Sequence, residues 1–225
     1  MLFLAIESST DIGSAALWRD GVISERLCPA GEPSSATLLP LVGELLVEAG
    51  VGFADLQAIA FGAGPGSFTG LRVACGVAQG LAFAHDLPVL PVSTLQAMAN
   101  AVAANKVAVC LDARMSEVYY GMYVDGVAID AVGVYPPALV PLPTGGGWVA
   151  AGNALAAYPA LIERLEGAVT TIQPEILPTA AAVARLAAAR LARGEGIDAG
   201  EALPVYVRDK VAFTVAERLA RGGKA

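Results

Sequence analysis

Residues 61–72 read Phe61-Gly62-Ala63-Gly64-Pro65-Gly66-Ser67-Phe68-Thr69-Gly70-Leu71-Arg72, and they join two different sequence patterns. A short apolar run typical of a strand precedes them, and an uncharged run of small apolar residues, long enough for several helical turns, follows. Glycines permit the sharp turn between the two patterns, and a hydroxyl side chain can cap the helix by accepting a backbone N–H. The segment predicts an elbow from strand to helix, with Ser67 or Thr69 as the cap.

Two functions are open for this elbow. A helix N-terminus with free amides attracts anions, which would make the elbow a phosphate cradle. The specific motifs do not match, because Leu71 follows Gly70 where a P-loop has lysine, and Ser67 stands at the third glycine of a dinucleotide fingerprint. A tight turn that begins a helix is the simpler interpretation.

The predicted helix has small residues along one face. Gly76 and Gly80 lie one turn apart on that face. A glycine within a helix costs about 1 kcal/mol relative to alanine. This pattern therefore predicts that another backbone comes close to the two glycines, either from the chain's own sheet or from a second protein.

Composition limits the classes of function. The 225 residues are 56% hydrophobic with a mean hydropathy of +0.60, but the longest uncharged stretch, residues 131–162, is broken by several prolines and three consecutive glycines, so we expect no membrane span. No signal peptide is visible, and three scattered cysteines are typical of packed thiols in a reducing cytoplasm. The net charge of −7 argues against direct binding of RNA, and the high apolar content favours a surface buried against a partner.

The sequence pattern begins again near the middle of the chain. Each copy has an apolar strand that ends in an acid, a polar loop, a strand, an Asp-Gly hairpin turn and a further strand. Asp112 lies 105 positions after Glu7, and Asp125 lies 105 positions after Asp20. We predict an α/β protein with an internal duplication, divided into residues 1–104 and 105–225.

This duplicated plan is that of the actin-like and sugar-kinase-like (ASKHA) ATPase fold, with two subdomains that each have a mixed sheet flanked by helices. In that fold the loop after each first strand contacts nucleotide phosphates between the halves. The acids at these positions are Glu7, Asp11 and Asp112. Such acids either hold Mg²⁺ or orient water, or they only cap turns and bind loop amides.

No catalytic set is evident in the sequence. His85 is the one histidine, so a histidine-pair metal site cannot be assembled. A Ser/His/Asp triad would have to use His85, and the Gly-x-Ser-x-Gly elbow that presents such a serine does not occur. We therefore predict no catalytic residue and no metal ligand.

Several motifs resemble those of the bacterial TsaB family, formerly called YeaZ, over nearly the whole chain. They are Leu4-Ala5-Ile6-Glu7-Ser8-Ser9-Thr10, the elbow, Gly76-Val77-Ala78-Gln79-Gly80-Leu81-Ala82, Val92-Ser93-Thr94-Leu95, Leu111-Asp112-Ala113-Arg114 and Pro204-Val205-Tyr206-Val207-Arg208. The resemblance implies a non-catalytic, cytoplasmic subunit that helps to form threonylcarbamoyladenosine beside the tRNA anticodon. Its implied partners are the catalytic paralogue TsaD, in a heterodimer, and the ATPase TsaE.

The resemblance also implies how such a subunit works. It would need no cofactor, bind ATP or ADP weakly at most, contact tRNA only through the complex, and pair with itself when TsaD is absent. The catalytic paralogue has a His-x-x-x-His metal motif where this chain has Thr94 and Met98, which are poor replacements for imidazole. The family's frequent histidine before its first helix is also missing from residues 31–35.

The resemblance places the pairing face on the first long helices, here the segments from Ser35 to Ala49 and from Thr69 to Ala84. The interface residues expected on this basis are Phe68, Arg72, Gly76 and Gly80.

Two rival functions remain at this point. One is an actin-like enzyme that acts alone, with the three acids around Mg-ATP. The other is a metallopeptidase, a class with which relatives were once grouped, although its metal ligands are missing.

Overall fold

A computed structural model describes residues 1–208, and its first half forms a five-stranded sheet. Its strands are β1 (Leu2–Glu7), β2 (Ser14–Arg19), β3 (Val22–Leu27), β4 (Ile59–Gly64) and β5 (Val89–Ser93). They lie in the order β3-β2-β1-β4-β5, with β1–β2 and β2–β3 antiparallel and the other pairs parallel. Leu4 and Ile6 belong to one core cluster, whereas Phe3 and Ala5 belong to another. The continuous apolar run of β1 thus reflects burial on both faces.

The second sheet repeats the first. Its strands are β6 (Lys106–Asp112), β7 (Val118–Val124), β8 (Val127–Ala128), β9 (Gly133–Tyr135), β10 (Trp148–Ala151) and β11 (Thr171–Gln173). Their order is β11-β10-β6-β7-β8, with β9 also paired to β7 and with the same strand directions as in the first sheet. Asp20 and Asp125 adopt φ angles of 48° and 49° in the matching hairpins. The predicted duplication is confirmed.

The two sheets are enclosed by helices. These are α1 (Ser34–Ala49), α2 (Phe68–His85), α3 (Thr94–Ala101), α4 (Ala154–Ala157), α5 (Pro159–Leu165) and α6 (Ala180–Ala192), besides three short 3₁₀ turns. Helices α1 and α2 cover one face of the first sheet, while α3 contributes to one face of the second sheet and α4 and α5 to the other. Helix α4 ends at Ala157 and α5 begins at Pro159, because proline is accepted at the first position of a helix but not in its interior. No helix within residues 1–208 is both long and apolar enough to cross a bilayer.

Helix α6 lies on the first sheet, although the predicted boundary placed it in the second unit (105–225). Its alanines pack with Phe3 and Ala5 on the face opposite to α1 and α2. The chain then adds Ile197, whose amide and carbonyl pair with Val89, and Ala202, which packs in the core beside α2. The division at residue 104 therefore separates the two sheets but not the two cores, because periodicity identifies a helix without showing which sheet it covers.

The elbow between β4 and α2 packs closely against the loop after β1. Ser67 caps α2 by accepting a hydrogen bond from the Gly70 amide at 3.4 Å, as one of the two predicted caps. The Ser67 amide donates to the Ser9 carbonyl at 2.7 Å, and the Ser8 hydroxyl donates to the Gly70 carbonyl at 2.8 Å. A Cβ at Gly66 would approach the Ser9 Cβ to 2.5 Å. The elbow glycines thus permit contact between two loops of the same chain.

Two glycines of α2 should respond in opposite directions to alanine. A Cβ at Gly70 would lie 1.8 Å from the Ser8 carbonyl oxygen, whereas one at Gly80 would meet no atom within 4 Å. We expect Gly70→Ala to lower the free energy of unfolding by at least about 2 kcal/mol through overpacking. Gly80→Ala should raise it by about 0.5–1 kcal/mol through helix propensity. Denaturant unfolding of the isolated chain measures both, and equal effects would contradict this packing.

Candidate functional site

A cavity of about 330 Å³ lies between the two halves of the molecule. Its walls are the loop after β1, the elbow, the loop after β6 and the extended residues 205–208. The two first-strand loops are those that the sequence predicted to face a common cleft. The duplication therefore brings Asp11 and Asp112, one from each half, to the same cavity.

Glu7 is not part of this cavity, in contrast to its predicted place beside a nucleotide. Its side chain is fully buried. One carboxyl oxygen accepts the Ser9 amide at 2.5 Å, and the other accepts the Thr94 hydroxyl at 3.5 Å. A Cβ at Gly62 would lie 1.8 Å from that second oxygen, so this glycine makes room for the carboxyl group. The side chain of Glu7 points into the core and not into the cleft. It thereby connects β1 with β4 and with the start of α3.

Burial raises the pKa of the Glu7 carboxyl above its ordinary value of 4.5, although hydrogen bonds from Ser9, Thr94 and Ser8 oppose the shift. Desolvation is the larger effect because the group loses all contact with water. The fold therefore favours the protonated form of this acid.

Asp11 and Asp112 are already engaged by a cation of the chain itself. The Arg114 guanidinium donates to the Asp11 carboxylate at 2.6 Å and lies 3.5 Å from the Asp112 carboxylate. Asp112 also accepts the Tyr158 hydroxyl at 2.7 Å and the Arg114 amide at 2.8 Å. The hydrogen bond to Asp11 is the main cause that raises the pKa of Arg114. Burial, followed by the bond to Asp112, raises the pKa of Tyr158 to about 12.

These contacts decide how well the cleft suits Mg-ATP, the ligand that the fold class implies. A magnesium site uses free carboxylate oxygens, but Glu7 is buried and the other two acids share one arginine. The residues present do not fit a resident Mg²⁺. None of the side chains described within residues 1–208 forms a group of three His, Cys, Asp or Glu suited to a metal ion.

The extended segment after α6 closes one side of the cavity and joins both halves, a role that its sequence did not reveal. Tyr206 packs on Phe68 with ring centroids 5.6 Å apart, and its hydroxyl accepts from Arg72 at 3.1 Å. The Val205 amide donates to a carbonyl of β4, and Arg208 forms an ion pair with Glu117 in the other half. The aromatic and basic residues of the segment 204–208 are the sequence feature that could have indicated this role.

Two of the four predicted interface residues therefore have partners within the chain. Arg72 lies 3.9 Å above the Phe68 ring, and both contact Tyr206. Whether they also contact a partner protein stays a prediction.

The other two predicted interface residues, Gly76 and Gly80, lie on the outer face of α2. Both are exposed, and an added Cβ at either one would meet no atom of residues 1–208 within 4 Å. The chain's own sheet is therefore not the close neighbour that the small residues predicted, and a second protein remains. Phe83 on the same helix is 84% exposed, and Val47 on α1 is 81% exposed. We call the exposed sides of α1 and α2 the outer helix face.

The remaining residues that the sequence analysis singled out are His85, Thr94 and Met98. The His85 ring stacks on Phe53 with centroids 5.0 Å apart, so this histidine is packed against its own chain. Thr94 and Met98, which the resemblance sets at the positions of the paralogue's metal ligands, are both fully buried. The Thr94 hydroxyl accepts the Gly64 amide at 3.2 Å besides donating to Glu7. Its position thus serves the packing of the elbow.

Two sheets of identical strand order, joined around a cleft formed by matching loops, define a protein of the ASKHA class. A family model described as "TsaD: tRNA N6-adenosine threonylcarbamoyltransferase" matches residues 29–135. The chain is 36% identical to the tRNA threonylcarbamoyladenosine biosynthesis protein TsaB of Escherichia coli K12, over 95% of this chain and 97% of that protein. It is 44% identical to the TsaB of Haemophilus influenzae over 55% of this chain and 54% of that protein. This chain belongs to the TsaB family.

A solved structure agrees with that assignment. YeaZ from Pseudomonas aeruginosa superimposes with a TM-score of 0.82 at 40% identity, over 91% of this chain and 99% of that one. A second Pseudomonas aeruginosa structure, described as an uncharacterized protein with similarity to peptidase YEAZ, gives a TM-score of 0.84 at 39% identity, over 92% and 99% of the two chains. The likeness covers the whole fold, including both sheets.

The buried carboxyl of Glu7 makes stability depend on pH. Its pKa is raised in the folded state, so the stabilisation from the protonated form is present below pH 4.5 and is lost as pH rises through the folded-state pKa. In Glu7→Gln the amide can accept from Ser9 and donate to Thr94 without a charge. We expect this variant to be more stable than the wild type by about 1–3 kcal/mol at neutral pH.

Denaturant unfolding between pH 4 and pH 8 measures this effect. The difference between Glu7→Gln and the wild type should widen with rising pH, whereas Glu44→Gln, an exposed change on α1, should follow the wild type. Parallel curves for Glu7→Gln and the wild type would contradict a raised pKa at Glu7.

Proposed function

We propose that this chain is a non-catalytic subunit of the system that forms threonylcarbamoyladenosine in tRNA. The observation that carries the proposal is the relationship to proteins named for threonylcarbamoyladenosine biosynthesis, over nearly the full length of one of them. The same relationship favours this role over an ATP-dependent enzyme that acts alone and over a peptidase. The reaction takes place on tRNA, so we place the chain in the cytoplasm.

The chemistry of the cleft supports a role without catalysis. One of the three acids expected near a nucleotide is buried, and the other two are paired with an arginine of the same chain. Thr94 and Met98 occupy the positions of the paralogue's metal-binding histidines, and both side chains are buried in the core. We propose that the chain requires no cofactor and that it binds ATP or ADP weakly.

The outer helix face supports a role in docking. Gly76 and Gly80 permit close approach of a partner backbone, and exposed apolar side chains flank them on both helices. A stable interface buries about 800 Å² on each partner, which two adjacent helices can supply. We propose that this face binds TsaD in a heterodimer, that TsaE joins as a third component, and that the chain forms a two-fold dimer through this face when TsaD is absent.

The charge of the chain supports indirect contact with tRNA. The net charge is −7, which opposes the binding of a polyanion. We propose that tRNA is held by the complex and not by this subunit.

Reconstitution tests the function itself. TsaD, TsaE, ATP, tRNA and the other precursors of the threonylcarbamoyl group are combined with or without this chain, and the modified nucleoside is measured by mass spectrometry. We expect the amount of modified nucleoside to fall by at least about tenfold when the chain is omitted. A tenfold change corresponds to a free-energy difference of about 1.4 kcal/mol. Equal modification without the chain would contradict the proposed role.

A single substitution tests the docking surface. Gly76→Arg places a long charged side chain where the partner backbone should approach, and it should abolish co-elution with TsaD. Folding should be unaffected, because the position is exposed and arginine favours helix more than glycine does. Gly146→Arg is the matched control, since this glycine is also exposed and has no atom of residues 1–208 within 4 Å of an added Cβ, but lies in the loop before β10 of the second sheet. Co-elution of Gly76→Arg with TsaD would reject the outer helix face.

A further inference from the structure

The loop after β6 contains three consecutive residues in the left-handed region. Arg114, Met115 and Ser116 have φ angles of 59°, 56° and 60°. Each such residue other than glycine costs about 1–2 kcal/mol, and runs of them are rare. This backbone therefore requires contacts that hold it in place.

Contacts from neighbouring residues and from Arg208 hold this loop. The Arg114 amide donates to Asp112 at 2.8 Å, and the Arg114 carbonyl accepts the Glu117 amide at 3.0 Å. Arg208, from the segment that joins the halves, donates to the same carbonyl and to the Met115 sulfur, each at 3.4 Å. The result is that the Arg114 side chain reaches across the cavity to Asp11.

The guanidinium of Arg114 lies between the two acids of the cleft. It contacts Asp11 from the first half at 2.6 Å and Asp112 from the second half at 3.5 Å. This one positive charge offsets part of the negative charge of the two carboxylates. Divalent cations in nucleotide sites bind the same type of oxygen ligand at the same type of position, at the ends of the first strands.

We infer that Arg114 is a built-in counter-ion, which takes the place of a divalent cation between Asp11 and Asp112 and makes the cleft independent of metal. The strained loop is the device that delivers it, because a right-handed backbone at residues 114–116 would direct the side chain elsewhere. The inference concerns the isolated chain. It does not depend on docking to TsaD, and either conclusion can fail without the other.

Removal of this arginine should therefore create a metal site. In Arg114→Met both carboxylates lose their cation, while the thioether is a poor ligand for a hard metal ion. We expect the variant to bind Mn²⁺ at least about tenfold more tightly than the wild type, because a unit positive charge beside a divalent ion opposes binding by more than 1 kcal/mol even in water. Titration of free Mn²⁺ by electron paramagnetic resonance measures the affinity, first with Mn²⁺ alone and then with ADP.

Two controls separate charge from loosening of the cleft. Asp11→Asn breaks the same ion pair but removes a carboxylate, so it should gain no affinity for Mn²⁺. The double variant Arg114→Met/Asp112→Asn should lose the gain of Arg114→Met. If Arg114→Met does not fold, Arg114→Gly replaces it, because glycine adopts the left-handed backbone without strain.

The outcomes decide the inference directly. A gain in Arg114→Met alone, with metal-dependent binding of ADP only in that variant, supports the counter-ion. Equal Mn²⁺ affinity in Arg114→Met and the wild type overturns it, and so does an equal gain in Asp11→Asn.

Discussion

The loop after β1 and the elbow before α2 approach each other so closely that their backbones touch. Gly70 leaves space for the Ser8 carbonyl, Gly66 leaves space for Ser9, and Gly62 leaves space for the carboxyl of Glu7. This contact fixes the start of α2 against the central strand, and with it the direction of the outer helix face. It also turns Glu7 inward and leaves Asp11 at the cleft, so both the docking surface and the chemistry of the cavity depend on it.

Much of the architecture could be predicted from patterns that are local in sequence. The apolar strands that end in an acid, the two Asp-Gly turns 105 residues apart and the small-residue helix each have a physical signature, and the structure contains all of them. The duplicated sheet order follows from these elements because a hairpin and a parallel crossover permit few arrangements. Family membership agreed with that interpretation.

The features that could not be predicted depend on contacts between distant segments. Glu7 and Asp112 occupy equivalent positions in the two copies. Glu7 is buried and accepts a hydrogen bond from Thr94, whereas Asp112 is bound by Arg114 and Tyr158. Arg114 and Asp11 are 103 residues apart in the sequence. Their pairing also requires a left-handed backbone at residues 114–116, which the residue types there do not predict. The residue types of the cleft were therefore visible in the sequence, whereas their protonation and charge balance were not.

The return of α6 to the first sheet has a consequence for synthesis of the chain. Until α6 has been synthesised, the face of the first sheet that carries Phe3 and Ala5 is covered only in part, by Ala97 of α3, although all five of its strands already exist. The core of the amino-terminal half is therefore completed only by α6, which lies near the other end of the chain. A fragment that stops after residue 104 would leave exposed to solvent the part of this apolar face that α6 covers, so we expect the first repeat to depend on the second for its stability.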